Sequence, residues 1–418
     1  MLSTFRSPLA SVQNSAVSIR LPKKIYVSSS VIEAELELNF RPLYEENIHE
    51  VRVELRGIAK TVIGHDDNRL SATVHLVQDC ITPWVHGTMY PPASQDVLRI
   101  PFRIPLPPNL PPNFEYHDLA KEAYVRYTLV AVCVRSSSAG VLQRDRRIYV
   151  PLAIAQRNDM GIVIKDKLGA ISAGRLDAWR THRVEEKIRK GFWGDYATVR
   201  VNLTLPDLNE FPLFVPIPFV ICIETTSPPL SRSKAGAHPQ DKPVFPAVPT
   251  SYRLLEFTLR RHISIRSRGD SWHDSSETIA YIGAAARAAV KQSIPERVWV
   301  PLGHGRDGAS EDPSPDPMGT WVQRATFWST FRLDCSHSFS VHNITCTHSL
   351  ELKVPFPGIG NDVNIHLPLT ITSGLDEPIL KNRVRIGEDT KNAVRDVPSP
   401  PAYIAPTGVA SFWDDETA

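Results

Sequence analysis

The chain has 418 residues, a length that suits two domains of ordinary size better than one. Hydrophobic residues make up 42% of it and charged residues 22%, which is typical of a globular protein and excludes a largely disordered one. The formal net charge of +2 gives no reason to expect a nucleic-acid partner, because proteins that bind nucleic acid carry strongly basic surfaces.

Proline and cysteine usage narrows the class of protein further. The chain has 36 prolines, well above average usage, and this excess is typical of many short strands joined by stiff connections. The five cysteines are scattered along the chain: Cys80, Cys133, Cys222, Cys335 and Cys346. Because their number is odd and their spacing shows no framework, we expect buried thiols in a reducing compartment.

No targeting segment is visible in the sequence. Residues 1–30 contain no apolar core of a signal peptide, and no run approaches 18 apolar residues. We therefore predict a cytoplasmic protein in which the glycosylation sequons at Asn202 and Asn343 stay unused.

After a polar lead over residues 1–15, the first half of the chain shows the alternation of half-buried strands. Residues 32–40 read I-E-A-E-L-E-L-N-F, so apolar side chains share one face and glutamates share the other. We predict an antiparallel β-sandwich over residues 16–156. Its strand-like segments cover residues 17–21, 26–27, 32–40, 51–56, 74–81, 97–104, 124–135 and 147–154.

The stretch from Ile100 to Arg135 organises this half. Six prolines between residues 101 and 112 remove backbone donors, so the strand that enters the stretch must end near Pro105. A strand, a stiff crossing and a core strand predict a connection that leaves one sheet and enters another. In the core strand, residues 124–135, one face carries Val125, Tyr127, Leu129, Ala131 and Cys133.

Residues 157–195 break the strand pattern with mixed charge, and we predict an interdomain linker there. The first interpretation is a solvated interdomain linker that could include a helical turn. The alternative is a surface that contacts anionic lipid or a phosphorylated tail, because clustered Lys and Arg are attracted to anionic membranes. The basic residues are Arg175, Arg180, Arg183, Lys187, Arg189 and Lys190, and their apolar neighbours are Trp179, Val184, Ile188 and Phe192.

Strand alternation returns at Thr198 and predicts a second β-sandwich over residues 196–374. Two stretches within it, 227–250 and 303–319, have the composition of exposed loops. Residues 277–293 are alanine-rich and fit a short helix, although their N-terminal end fits a strand equally well. Beyond Gly374 we predict a flexible tail, residues 375–418.

The order and spacing of these segments resemble the arrestin family, specifically the α-arrestins, which are arrestin-like trafficking adaptors. In the first half the resemblance rests on E-A-E-L-E-L-N-F (33–40), V-R-V-E-L-R-G-I-A-K-T (51–61), I-P-F-R-I-P-L-P-P-N-L-P-P-N-F-E-Y (100–116) and V-R-Y-T-L-V-A (125–131). In the second it rests on V-N-L-T-L-P (201–206), I-P-F-V-I-C-I-E-T (217–225) and H-S-L-E-L-K-V-P-F-P-G-I-G (348–360).

This resemblance covers roughly residues 16–374. It implies an all-β fold of two tandem, immunoglobulin-like β-sandwiches joined by a short hinge, without catalytic machinery. Inserts at 227–250 and 269–320 depart from the simplest family pattern.

A short motif in the tail points to a binding partner. Pro400, Pro401, Ala402 and Tyr403 form a P-P-x-Y sequence. The prolines preset the polyproline II conformation that aromatic-lined WW grooves bind, and Tyr403 would insert beside them. With 36 Pro and 11 Tyr, composition predicts roughly 0.08 chance occurrences, so we predict a WW-domain ligand. α-Arrestins use such motifs, often in two or more copies, to recruit WW-domain HECT ubiquitin ligases; one copy is visible here.

Other residue patterns give no site. Residues 303–308 satisfy G-x-G-x-x-G, but the following A-S-E-D-P-S-P-D-P cannot open the helix that a nucleotide phosphate needs. No nucleophile-elbow or triad signature appears, so we predict no catalytic residue and no cofactor. Zinc-binding residue types occur without paired C-x-x-C spacing, and we predict no metal at Cys335, His337, His342, Cys346 and His348.

Together these observations predict an adaptor, recruited to the plasma membrane or endosomes, that links a membrane transporter or receptor to a WW-domain HECT ubiquitin ligase. Lys381 and Lys391 lie near the motif and are candidate ubiquitin acceptors. The apolar residues within 379–386 suggest that this segment docks on a sandwich edge. The alternatives are an arrestin-fold scaffold of endosomal sorting or signalling that recruits no ligase, and a metal- or nucleotide-binding enzyme.

Overall fold

The computed structural model of the protein describes residues 15–64, 69–118, 120–135, 145–172, 179–191, 193–236, 244–268, 272–282, 290–302, 317–376 and 379–380. These residues form mostly β-strands with a few short helices. The predicted all-β class is therefore confirmed. In this described part of the chain, no helix is long and apolar enough to cross a membrane.

The first half of the chain contains nine strands and one short helix among the described residues. In chain order they are β1 (Val17–Arg20), β2 (Lys24–Val27), β3 (Val31–Asn39), α1 (Phe40–Glu45), β4 (Ile48–Ile63), β5 (Leu70–Val85), β6 (Val97–Pro105), β7 (Phe114–Asp118), β8 (Lys121–Arg135) and β9 (Arg146–Ala155).

The remaining elements begin with a helix. They are α2 (Gly161–Ser172), β10 (Trp179–Arg189), β11 (Tyr196–Pro206), β12 (Phe211–Pro212), β13 (Ile217–Thr226), β14 (Leu230–Ser231), α3 (Arg232–Gly236), β15 (Glu256–Arg266), β16 (Trp272–Tyr281), β17 (Lys291–Ser293), β18 (Val298–Pro301), β19 (Met318–Phe331), β20 (Phe339–Val341), β21 (Ile344–Val354), β22 (Val363–Leu369), β23 (Ile371–Thr372) and β24 (Ile379–Leu380).

Two sheets enclose the first hydrophobic core. One has the strand order β1-β3-β6, and the other has the order β24-β2-β9-β8-β4-β5, with β7 paired to β8. As its alternation predicts, β3 buries Ile32, Ala34, Leu36 and Leu38. Its glutamates lie on the other face, where Glu37 pairs with Arg20 at 2.7 Å and Glu33 pairs with Arg103.

β8 is the central strand of the larger sheet, hydrogen-bonded to β4 on one side and to β9 on the other. The proline-rich crossing is fastened to it. β6 ends at Pro105, as predicted, and the Tyr127 hydroxyl donates to Pro111 O at 2.8 Å. The residues predicted to share the buried face of β8 are each at most 1% exposed: Val125, Tyr127, Leu129, Ala131 and Cys133.

Two further sheets enclose the second core. One has the order β10-β11-β13-β19-β14, with β17 and β18 paired to β19. The other has the order β16-β15-β21-β20, with β22 paired to β21. A parallel pair, β12 and β23, lies beside them. Alternating residues of β11 and β13 fill the core between the sheets: Val199, Val201, Leu203, Leu205, Ile217, Phe219, Ile221 and Ile223.

The predicted linker, residues 157–195, contains regular structure. It includes α2, and β10 pairs with β11 along its whole length. Ile188 is buried and Val184 packs against the second core, while the charged residues between them are more exposed. β10 is thus an edge strand of the second sheet pair. Edge strands carry charged residues on their solvent-facing side, and here these residues make the apolar alternation of β10 difficult to recognise in the sequence.

Two of the predicted loop or helix segments also differ in the structure. Val244 and Val248, within the predicted exposed loop 227–250, are buried, and the Gln323 side chain donates to the carbonyl of Val244. The N-terminal end of the alanine-rich segment is strand, because residues 277–281 belong to β16. Residues 283–289 lie outside the described part of the chain.

The two sheet pairs meet in an apolar contact. The rings of Phe114 and Phe339 lie edge to face at 5.2 Å. Asn343 is buried and donates to Ala59 O at 3.0 Å, so the folded chain leaves no room for a glycan at that sequon. The second sheet pair contributes five residues to the first core: Ile263, Ile265, Phe339, Ile344 and Cys346.

The chain returns to the first sheet pair at its last described strand. In β24, Ile379 and Leu380 pair antiparallel with Ile25 and Lys24 of β2. The predicted docking of residues 379–386 is confirmed for these two residues, and residues 381–386 lie outside the described part of the chain.

Gly57 of β4 tests how closely the first core is packed. A Cβ at Gly57 would lie 2.6 Å from the Tyr127 ring and 2.7 Å from Val77 Cγ1. We expect Gly57→Ala to lower the free energy of unfolding by about 1–3 kcal/mol in urea titrations, because both neighbours must move. The matched control is Gly169→Ala on α2, where a Cβ meets nothing within 4 Å and should stabilise by about 0.5–1 kcal/mol. Equal stability of the two variants would contradict this packing.

Candidate functional site

The residues singled out as a ligase-binding site lie outside the described part of the chain. These residues are Pro400, Pro401, Ala402 and Tyr403. The candidate ubiquitin acceptors Lys381 and Lys391 and the glycine-rich residues 303–308 also lie outside the described part. What the structure gives is the place where the tail begins and the surfaces that surround it.

The start of the tail is anchored between the two sheet pairs. Leu375 is buried with Ile25, Val27 and Ala155, and its carbonyl accepts from Asn158 N at 2.7 Å. Four residues later the backbone joins the edge of β2. The last described residues of the chain therefore lie at the edge of the first sheet pair.

Several cations of the predicted basic surface are paired with carboxylates or packed on a ring in the structure. Arg180 pairs with Asp207, Arg183 pairs with Glu185, and the Arg189 guanidinium lies 5.6 Å from the centre of the Tyr196 ring. Glu185 also forms an ion pair with Arg200 of β11, with Oε2 3.0 Å from Nε. This ladder continues through Glu224 of β13 to Arg324 of β19, so charges of both signs cover the outer face of four strands.

Two cations of that surface differ from the others. Lys187 and Lys190 are exposed, and no carboxylate of the described residues lies within 4.0 Å of either amine. Arg175 and Phe192 lie outside the described part, while Trp179 is half-buried. The positive charge of this edge therefore rests on the two lysines and on Arg189, because the contact with the Tyr196 ring does not neutralise the guanidinium.

A pair of exposed apolar residues that was not predicted from the sequence lies at the end of the second sheet pair. Trp193 follows β10 and is 98% exposed, and Ile359 precedes β22 and is 94% exposed. Asn361 donates to Arg189 O at 3.1 Å, which brings the two loops together. A large apolar residue flanked by glycines, as in Gly358-Ile359-Gly360, is the sequence signal that could have identified them.

Two of the histidines considered as metal ligands hydrogen-bond to other groups. His337 Nε2 lies 3.2 Å from Gln156 N, and His348 Nδ1 lies 3.0 Å from Ser338 Oγ. Burial raises the pKa of the Cys335 and Cys346 thiols to about 12, which disfavours the thiolate that metals bind. Within the described residues, no three His, Cys, Asp or Glu side chains are placed to hold a metal ion.

A cleft of about 480 Å³ opens beside these residues. His262, His348, His366 and Ser349 are among its lining residues. His262 Nε2 lies 2.8 Å from Ser349 Oγ, and burial lowers the pKa of His262, which favours its neutral form. Ser349 is only 1% exposed, so this pair cannot present a nucleophile to a substrate from solvent.

Comparison with known proteins adds no assignment. No family model matches the chain, and no curated protein matches it in sequence.

Proposed function

We propose that this chain is an adaptor that links a membrane-protein cargo to a WW-domain HECT ubiquitin ligase, for ubiquitin-dependent endocytosis and sorting. The observation that carries the proposal is the P-P-x-Y sequence of Pro400, Pro401, Ala402 and Tyr403. It stands behind a chain whose strand motifs resemble those of the α-arrestins. The proposed architecture is two tandem arrestin-like β-sandwiches.

Three features of the fold support this architecture. The chain is mostly β, its sheets enclose two hydrophobic cores, and a proline-rich crossing connects sheets within the first half. Adaptors of this kind supply proximity, while catalysis belongs to the recruited ligase. The sheet edges and the loop tip with Trp193 and Ile359 offer surfaces for a transporter or receptor as cargo.

The motif carries its own conformational preference. Two successive prolines favour polyproline II, so a WW groove binds the segment with a small loss of chain entropy. Tyr403 adds a ring that packs beside the prolines and a hydroxyl that can hydrogen-bond at the rim of the groove. A single motif gives no avidity, so we expect a weak and readily reversed contact.

The position where the tail begins sets the reach of the ligase. Leu380 is the last described residue, and the 20 residues from there to Pro400 span at most about 70 Å when fully extended. A ligase bound at the motif would therefore stay within one or two molecular diameters of the adaptor and its cargo.

The first test is binding of the full-length chain to isolated WW domains of HECT ligases. We expect Tyr403→Ala to weaken binding by about 30-fold or more in calorimetry, because a buried aromatic anchor contributes about 2 kcal/mol. The matched control is Tyr281→Ala, since Tyr281 is exposed and lies in β16, far from the motif in sequence. Equal binding by the two variants would overturn ligase recruitment and leave the sorting scaffold as the better account.

Ubiquitin transfer to the adaptor gives a second test. Lys381 and Lys391 lie 19 and 9 residues before Pro400, within reach of a ligase bound there. We expect Lys381→Arg with Lys391→Arg to remove most adaptor ubiquitination in a reconstituted reaction, as read by mass spectrometry. WW-domain binding should be unchanged in this variant. An unaltered ubiquitination pattern would show that other lysines are the acceptors.

An anionic membrane surface is a further partner that we propose, through Lys187 and Lys190. We expect Lys187→Gln with Lys190→Gln to reduce binding to phosphatidylserine vesicles by about 30-fold at low salt, because each lysine near a surface adds about 1 kcal/mol. A control with the same change in net charge is Lys23→Gln with Arg41→Gln in the first sheet pair. If both variants lose binding equally, or neither does, this edge makes no specific contact with lipid.

A further inference from the structure

The backbone between β9 and α2 is held by side chains of the second sheet pair. Gln156 follows β9 directly, and its N–H lies 3.2 Å from His337 Nε2. Its carbonyl accepts a hydrogen bond from the Ser373 hydroxyl, just after β23. Both backbone groups of one residue thus depend on the second sheet pair. We call this contact of Gln156, His337 and Ser373 the joint.

The hydrogen bonds of His337 specify its protonation state. An amide N–H can only donate, so His337 Nε2 must accept from Gln156 and carry a free lone pair. The other ring nitrogen, Nδ1, lies 3.1 Å from Ser338 O, which can only accept, so Nδ1 holds the proton. The imidazole is therefore neutral in the closed joint, and it is 1% exposed.

A second histidine supports the same segment. Ser338 Oγ accepts from Ile371 N at 3.1 Å and lies 3.0 Å from His348 Nδ1. The hydroxyl proton of Ser338 is then free to point at His348 Nδ1, which accepts it in the neutral ring. His348 is 2% exposed. Protonation at Nδ1 would remove this acceptor.

The surroundings offer no countercharge for either imidazole. Among the described residues, no carboxylate forms an ion pair with His337 or His348. The charged or titratable groups that act on His348 are Arg261 and His262 of β15 and His337 itself, and His366 of β22 lines the same cleft. The neighbouring thiols of Cys335 and Cys346 face Arg261, Asp334 and Glu277, and Arg157 follows Gln156. Glu277 is engaged by Arg261, and Arg157 pairs with Asp159 at 2.6 Å.

We propose that the joint is an acid-sensitive latch, in which proton uptake by His337 and His348 is coupled to release of Gln156 from the second sheet pair. The proton-binding atoms are His337 Nε2, which accepts within the joint, and His348 Nδ1, which accepts from Ser338 beside it. Release would remove the Gln156–Ser373 contact and weaken the bond from Ile371 N to Ser338 Oγ, while the pairing of Ile371 and Thr372 with β12 and the bond from Asn158 to Leu375 remain. From this segment the chain continues to β24 and the tail. A fall in pH would thus loosen the root of the tail.

The direction of the pH dependence follows from linkage. Burial lowers the pKa of His337 from 6.5 to about 4 and that of His348 from 6.5 to about 3. The open joint therefore binds protons below pH 6.5 where the closed joint does not. The closed form is most stable above pH 6.5 and loses stability as the pH falls toward the lowered pKa values. Between pH 7.5 and 5.0 each histidine raises the opening constant by about 30-fold, and both together by on the order of 10³.

Amide hydrogen exchange of the full-length chain measures this opening directly, because Gln156 N–H is itself the donor to His337. Exchange rates at pH 7.5 and 5.0, each divided by the intrinsic chemical rate, give the opening constants. We expect peptides containing Gln156 and residues 371–375 to show a rise of about 10²- to 10³-fold. Peptides of β8 serve as the internal reference and should change less than about threefold.

Two substitutions keep the acceptors while removing the titration. In His337→Gln the amide oxygen can reach the position of Nε2, and in His348→Asn it can reach the position of Nδ1. We expect the double variant to change less than about threefold between the two pH values, while His75→Gln, on exposed β5, behaves like the unaltered protein. A double variant that keeps the full pH response, or an unaltered protein that shows none, would overturn the latch.

A further measurement decides the matter if the double variant does not fold. In the unaltered protein the logarithm of the opening constant should rise by close to two log units per unit fall in pH between pH 6 and 5, which corresponds to uptake of two protons. Above about pH 7.5 it should be nearly independent of pH. The single variant His337→Gln should halve the acid slope. A flat profile at the joint, or the same profile in β8, would refute the proposal.

Discussion

Buried backbone groups must find hydrogen-bond partners, and this requirement governs both places where the chain changes sheets. At the first, prolines between residues 101 and 112 remove donors but leave carbonyls to be satisfied. Tyr127 donates to one of these carbonyls from the centre of the core, and Asn113 bonds to the backbone of β9. The crossing is therefore held by β8, the same strand to which β4 and β9 are hydrogen-bonded.

At the second place the partners of the backbone are side chains distant in sequence. Gln156 relies on His337 and Ser373, and Asn158 bonds to Thr372 Oγ1 at 2.8 Å. Because one of these partners is an imidazole, the joint combines a structural contact with a titratable group. The segment that closes the joint also leads into β24, so the geometry of the two sheet pairs and the starting point of the tail are mechanically connected.

The surfaces of the second sheet pair divide into two kinds. On the outer face of β10, β11, β13 and β19, arginines and glutamates neutralise one another across neighbouring strands, as expected of a solvated sheet face. At the loop tip, Trp193 and Ile359 project into solvent beside Arg189. Such an arrangement would suit the proposed adaptor function, because a neutralised face limits unwanted association while a small apolar tip remains available.

The sequence by itself determined the features that depend on near neighbours. The alternation in β3 and the buried face of β8 follow from strand periodicity, and β6 ends at Pro105 because proline has no backbone donor. The P-P-x-Y motif can be recognised from the sequence because prolines favour the polyproline II conformation by themselves. Only the tertiary structure decided that residues 179–189 form an edge strand, that Arg183 is neutralised, and that His337 meets Gln156. These outcomes depend on residues far apart in the chain, whose proximity no local pattern encodes.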